Sequence, residues 1–235
     1  MRVSLGSYNI HGCIGRDGRY DPARILEVLR ELQCDIVALQ EVDTRLQLHL
    51  LEFLAEGTGS VAVPGPTLVR ASGDYGNAVL SRLPILKTRR LDLTYKHHEP
   101  RGAIGVDIDC GGVALRAVAT HLGLRPTERR FQVRRLLDMF RTESAQPAAL
   151  MGDLNEWFLW GRPLRWLHAY FGTSRAIRTF PAHVPALALD RILVHPYHAL
   201  ETIGVHTSAA ARIASDHLPV KAILNLDARA GDAKT

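Results

Sequence analysis

Cysteine, lysine and long apolar runs are all in short supply in this chain of 235 residues. Its three cysteines, Cys13, Cys34 and Cys110, are odd in number and widely spaced. No Cys-x-x-Cys pair occurs, which argues against a disulfide scaffold, a cysteine zinc site and a redox motif; the three read as reduced filler. No apolar stretch reaches the length of a membrane span, and Met1-Arg2-Val3-Ser4 lacks the apolar core of a signal peptide. The expectation is a soluble protein of the cytoplasm without a transmembrane segment. Neither a solenoid-type repeat nor a low-complexity linker divides the chain. One domain over residues 1–226 is expected, followed by a frayed tail over 227–235.

Hydrophobic residues make up 46% of the chain and charged residues 23%, which suffices for a sizeable core. The formal net charge of +5 and a pI near 9.4 favour an anionic partner, nucleic acid or phospholipid head groups. Of the 29 basic residues only Lys87, Lys96, Lys221 and Lys234 are lysines; the rest are arginines. Arginine forks suit phosphate, but the same bias arises from genomic base composition, and that explanation carries more weight.

Val3 to His11 alternates and runs into a glycine-rich loop, a strand with Asn9 and His11 near its end. Asp21-Pro22 is a helix start, and Ile25, Val28, Leu29 and Leu32 repeat at the spacing of one buried face. Ile36 to Leu39 reads as a strand covered on both sides, ended by Gln40-Glu41. Leu46, Leu50, Phe53 and Leu54 predict a helix stopping near Gly57. Residues 60–93 suggest a mostly antiparallel sheet. The strands Ala103 to Asp109 and Val113 to Thr120 form a hairpin about Gly111-Gly112, with His121 at the second strand's end. Pro126-Thr127-Glu128 opens a helix whose arginines, Arg129, Arg130, Arg134 and Arg135, read as a solvated face. Ala148 to Met151 is a buried strand from which Gly152 turns the chain toward Asp153 and Asn155. Leu159 to Phe171 predicts a helix with Trp160, Leu164, Leu167 and Phe171 in its core-facing stripe. Strands at 189–194, 200–206 and 220–226 complete the chain. Strands and helices recurring in this way in each half suggest an α/β fold of two mixed sheets packed face to face with helices outside.

The polar residues that end these strands are Asn9, Glu41, His121, Asp153, Asn155, Asp190, Asp216 and His217. Carboxylates without cysteine favour a hard, oxygen-seeking ion, magnesium with manganese as the alternative, over zinc. The stretches that carry them are Ser7-Tyr8-Asn9-Ile10-His11, Leu39-Gln40-Glu41-Val42-Asp43, Tyr75-Gly76-Asn77-Ala78-Val79-Leu80-Ser81-Arg82, Thr120-His121-Leu122, Gly152-Asp153-Leu154-Asn155, Leu189-Asp190-Arg191-Ile192 and Ser215-Asp216-His217-Leu218-Pro219. In content and order they resemble the endonuclease/exonuclease/phosphatase superfamily of metal-dependent phosphoesterases, which includes DNase I, abasic-site endonucleases, neutral sphingomyelinases and inositol-polyphosphate 5-phosphatases. The resemblance runs nearly end to end. It implies a four-layer DNase I-like sandwich with the site at the strand ends. It also implies that Glu41 is the principal metal ligand, with Asn9 and Asp216 completing or neighbouring the metal shell. By the same resemblance Asp153 orients and deprotonates the attacking water, and Asn155 donates to a phosphoryl oxygen. His217, held by Asp190, donates to the phosphate, while His121 is a second phosphate contact or the leaving-group acid. Asn77 and Arg101 fall where family members often line the substrate cleft.

The implied activity is divalent-metal-dependent hydrolysis of a phosphodiester, in nucleic acid or a phospholipid head group. A phosphomonoesterase of the inositol-phosphatase type and a catalytically silent nucleic-acid-binding domain are the alternatives. Abasic-site endonucleases typically follow the metal glutamate with a hydroxyl residue and a lysine, and place an aromatic residue after the histidine-orienting aspartate. Val42-Asp43 and Arg191 stand at those positions here, which argues against a dedicated abasic-site enzyme. An enzyme acting at membranes would benefit from an exposed apolar loop, and none is evident in the sequence. The segment from Thr179 to Pro185 either lines the cleft or packs as a rigid loop.

Overall fold

The first strand, β1 (Arg2–Asn9), buries nearly its whole length, because it lies inside a six-stranded sheet covered on both faces. Its neighbours are β2 (Ile36–Asp43), which runs parallel to it, and β11 (Val220–Asn225), which runs antiparallel. With β3 (Val61–Leu68), β4 (Tyr75–Ser81) and β10 (Leu200–Val205), the order is β10-β11-β1-β2-β4-β3. Pro64 and Pro66 fall in β3, which stands at the edge, where a missing N–H breaks no ladder. The second sheet holds β5 (Ile85–Asp92), β6 (Gly102–Cys110), β7 (Val113–His121), β8 (Ala148–Asp153) and β9 (Asp190–His195), in sequential order. The computed structural model describes residues 1–142 and 147–227. Of the expected tail only Asp227, paired with the Met1 amino group, is among them; the remainder lies outside the described residues.

Three apolar layers hold the sandwich. Val3, Leu5, Ile36 and Val79 of the first sheet meet Ile104, Val106, Ala119, Met151 and Ile192 of the second. Outside the first sheet pack α1 (Pro22–Leu32) and α2 (Leu50–Thr58); outside the second pack α3 (Pro126–Thr142) and α4 (Arg162–Phe171). Asp21 caps α1 by accepting from the Ala23 and Arg24 amides at 3.1 and 3.4 Å, with Pro22 in the first turn, as the sequence predicts. The architecture is therefore the expected α/β sandwich of two mixed sheets flanked by helices.

Several local expectations need correction. The left-handed cap of α2 is Gly59, with φ of 65°, while Gly57 stays helical and Leu46 lies outside the helix. The fourth helix begins at Arg162, because Gly161 and Pro163 set its first turn. Trp160 therefore precedes it and is 73% exposed rather than core-facing. Arg129 is fully buried, so the arginines of α3 do not form one solvated face. Gly152 belongs to β8 itself; a Cβ there would stand 1.9 Å from the Thr120 carbonyl oxygen, and close approach to β7 demands the glycine.

Candidate active site

Strand register delivers the polar residues to one end of both sheets. In the second sheet, His121 lies opposite Asp153 across the parallel β7 and β8 pair. Asp153 in turn lies opposite Asp190 across the antiparallel β8 and β9 pair. In the first sheet, Asn9 is beside Gln40, one residue before Glu41. Glu41 does not end β2; the strand continues to Asp43 through a bulge against β4, with Glu41 at φ of 54°. His11 at 47° and Asn155 at 49° are also left-handed. Such backbone is costly for residues other than glycine, and here it aims three polar side chains into one space.

The Asp153 carboxylate is the hub. Its Oδ2 accepts from Asn9 Nδ2 at 3.2 Å and lies 3.6 Å from His121 Nε2 and 3.7 Å from His217 Nε2. Asn9 Nδ2 also donates to Glu41 Oε1 at 2.9 Å, tying the two sheets together. Asp153 Oδ1 accepts the Asn155 amide at 2.9 Å. Burial and the neighbouring Asp190 carboxylate push the Asp153 carboxyl up to about 7, into the range where it can exchange a proton near neutrality. His217 Nδ1 lies 2.8 Å from Asp190 Oδ2. Burial opposes charge on His217, but Asp190 more than reverses this and raises the imidazole to about 10. Asp153, Asp190 and His217 have ligand-type atoms within 4.8 Å of one another. Since His217 faces one carboxylate with each ring nitrogen, this trio has the form of a proton relay more than of a cation cage.

Glu41 and Asp216 make a second acidic point. His11 Nδ1 sits 3.5 Å from Glu41 Oε2 and 3.6 Å from Asp216 Oδ1. Burial raises the Glu41 carboxyl, but a hydrogen bond from His11, the nearby His121 imidazole and a hydrogen bond from Asn9 together outweigh this and hold it at about 2. Hydrogen bonding to Glu41 in turn raises His11. Two partly exposed carboxylates thus face one imidazole between them, and oxygen donors of this kind are the type a hard divalent cation takes.

His121 is held neutral. Burial first, and then Arg101, lower its imidazole to about 3. Arg101 Nη1 lies 3.0 Å from its Nδ1, and Asn155 Nδ2 lies 3.0 Å from its Nε2. Both neighbours direct N–H donors at a ring that offers one acceptor when neutral, so the two contacts cannot both be satisfied at once. Asn77, whose Nδ2 donates to the Gly102 carbonyl at 3.0 Å, lines the same corner with Tyr75, Arg101 and His121.

All ten candidate residues therefore lie at this end, Asp216 and Asn77 at its margins. Of the two readings open for the segment from Thr179 to Pro185, lining the cleft is the one observed at its start: Thr179 donates to Asp190 Oδ2, and the Phe180 ring lies 4.8 Å from that of His217. Sequence reasoning missed the role of Ser215. Ser215 Oγ donates to the Asn9 carbonyl at 2.7 Å and accepts the His217 amide at 3.2 Å, joining two motifs. The adjacency of Ser215 to Asp216-His217 was the one signal available for it.

The two packed sheets, with acids, amides and imidazoles pooled at one end, define a phosphoesterase-type fold. The chain belongs to the Endonuclease/Exonuclease/phosphatase family, whose sequence profile matches residues 6–217. It is 31% identical to the Escherichia coli K12 protein designated "Uncharacterized protein YbhP", over 93% of this chain and 94% of that one. Among solved structures it resembles the endonuclease/exonuclease/phosphatase from Bacteroides vulgatus, with a TM-score of 0.80 and 19% identity over 97% of this chain and all of the other. It also resembles the human Nocturnin catalytic domain, with a TM-score of 0.74 and 18% identity over 95% and 94% of the two chains.

Proposed function

We propose that this chain is a divalent-metal-dependent hydrolase of phosphodiester bonds, acting by attack of water on phosphorus. The observation that carries the reading is the buried Asp153 hub, which gathers Asn9, His121 and His217 from both sheets around one carboxylate oxygen. Glu41, with Asn9 and Asp216 beside it, would hold magnesium, or manganese, in the acidic point that His11 now shares. A bound cation there supplies charge that screens the phosphate and stabilises the leaving oxygen.

The remaining steps belong to the protein. Asp153 orients the attacking water and takes its proton at Oδ2. Asn155 donates to a phosphoryl oxygen. His217, fixed by Asp190, donates to the oxygens as negative charge builds up in the pentacovalent transition state. A neutral His121 supports a phosphate contact and argues against its serving as the acid for the leaving group. Asn77 and Arg101 contribute further phosphate contacts.

Hydrolysis of bis-p-nitrophenyl phosphate with magnesium or manganese tests this reading. Wild-type protein is expected to turn the diester over and to stop on chelation by EDTA. Glu41→Ala and His217→Ala are each expected to lose at least about a hundredfold in kcat. Full activity in both variants would overturn the assignment. Salt-dependent DNA binding without any hydrolysis would favour the silent module.

A further inference from the structure

Directly after the Gly152-Asp153-Leu154-Asn155 motif, the chain presents Trp157, Phe158, Leu159 and Trp160 to solvent at 38%, 45%, 53% and 73% exposure. Single exposed apolar side chains are ordinary, but four large ones in succession are not. Their rings contact one another, Trp157 with Phe158 at 6.1 Å and Phe158 with Trp160 at 5.9 Å between centroids.

The loop is anchored from beneath. Glu156 is buried and accepts from Arg129 Nε at 3.2 Å and Nη2 at 3.3 Å, and its Oε1 also takes the Phe158 amide at 3.2 Å. The Arg129 guanidinium carbon lies 4.9 Å from the Trp157 ring centroid, and Nη1 donates to the Leu124 carbonyl. Leu124 is itself 59% exposed, so a second apolar tip stands beside the first. Val184, 65% exposed, belongs to the segment whose Phe180 packs on His217. The aromatic loop and the Val184 segment thus each adjoin, along the chain, a residue of the site: Asn155 for the first and Phe180 for the second.

Along the segment that follows the loop, the charge has one sign. Residues 157–189 contain no aspartate or glutamate, while Arg162, Arg165, Arg175 and Arg178 are all exposed. Tryptophan, aliphatic tips and arginine together match the head-group region of an anionic bilayer. A platform for single-stranded nucleic acid would use the aromatic rings but gain nothing from Leu124, Leu159 and Val184. No helix among the described residues is long and apolar enough to cross a membrane.

From these features we infer that the Trp157 to Trp160 loop and the exposed arginines that follow it in the chain dock the protein on an anionic phospholipid surface, with the site facing the lipid phosphodiesters. The catalytic half of this statement rests on the function proposed above; the docking half does not.

Cosedimentation with vesicles of phosphatidylcholine and phosphatidylglycerol tests it, with pure phosphatidylcholine vesicles as the comparison. Wild-type protein is expected to bind the anionic vesicles with a blue shift in tryptophan emission, and at least about tenfold more weakly to the neutral ones. The double variant Phe158→Ser/Trp160→Ser should lose at least about tenfold in vesicle affinity while keeping its melting temperature and its turnover of bis-p-nitrophenyl phosphate. Equal vesicle binding by variant and wild type would overturn the inference, as would wild-type protein that binds neither kind of vesicle. Loss of single-stranded oligonucleotide binding in the variant, with vesicle binding unchanged, would also overturn it. Loop-dependent vesicle binding by a protein that hydrolyses no diester would support the docking surface and defeat the catalytic reading.

Discussion

Asp190 touches His217 rather than the space the site encloses, and in the proposed mechanism it fixes how that imidazole is used. Its Oδ2 is 2.8 Å from His217 Nδ1, which leaves Nε2 to face the Asp153 side of the site. Asp190→Asn keeps the shape and removes the charge. Turnover of a soluble diester is expected to fall by about a hundredfold or more, with the melting temperature changed by only a few degrees, because the imidazole loses its fixed tautomer. Parallel kinetics and thermal melts check this, and unchanged turnover would contradict the proposed pairing. At this scale the sequence was informative wherever a polar residue ended an apolar strand, which is how Asn9, His121 and Asp153 could be picked out, whereas Asp190 opens β9 and His217 stands in the turn before β11. It was silent on the left-handed backbone of Glu41 and His11, since that conformation leaves no side-chain signature. It was equally silent on the Thr179 and Phe180 contacts, which depend on how a loop folds back.

Helices and strands were legible in order outside residues 60–93, where one antiparallel sheet was expected and β3 and β4 join the first sheet while β5 joins the second; the other errors fell at element ends and on one face. Trp160, Leu164, Leu167 and Phe171 keep helical spacing, but spacing cannot see that Gly161 and Pro163 delay the start of α4. Arg129 looked like its solvated neighbours because its partner, Glu156, lies 27 residues away in sequence. A similar pairing across strands makes a testable case. Asp107 of β6 accepts from Arg116 Nε at 2.9 Å and from Arg89 Nη1 at 2.7 Å, bridging β5, β6 and β7. Burial raises its carboxyl, but the two guanidinium groups outweigh burial and leave it below the usual aspartate range. A carboxyl lowered in the folded state stabilises the fold above its unfolded pKa, near about 3.9, and ceases to do so as pH falls through the folded value. Asp107→Asn is therefore expected to cost about 3 kcal/mol at pH 7. That gap should narrow below about pH 4 in urea titrations; a gap independent of pH would refute the ionic account.

Across the whole molecule, the alternation of strand-rich and helical stretches made the two-sheet sandwich legible, while the exposed aromatic loop was hidden by its resemblance to a helix face. The sandwich also divides labour unevenly. Asn9, Glu41 and Asp216 come from the first sheet and its loops, whereas His121, Asp153, Asn155 and Asp190 come from the second. Ile104 fills the gap between the sheets, close enough that a Cβ added at Gly65 would stand 2.8 Å from its Cγ2. Leu136 fills the outer layer beneath α3. Truncation of either to alanine is expected to cost about 2–5 kcal/mol. Measured below both melting transitions, Ile104→Ala should lower kcat by about tenfold or more and Leu136→Ala by less than about threefold, since small displacements of reacting groups are expensive in rate. Comparable losses in the two would refute the distinction. The apolar filling between the sheets then acts as a spacer: its thickness sets the distance between Asn9, Glu41 and the Asp216-His217 turn on one side and His121, Asp153 and Asp190 on the other. Side chains that never meet the substrate would thereby be held to tolerances usually reserved for those that do.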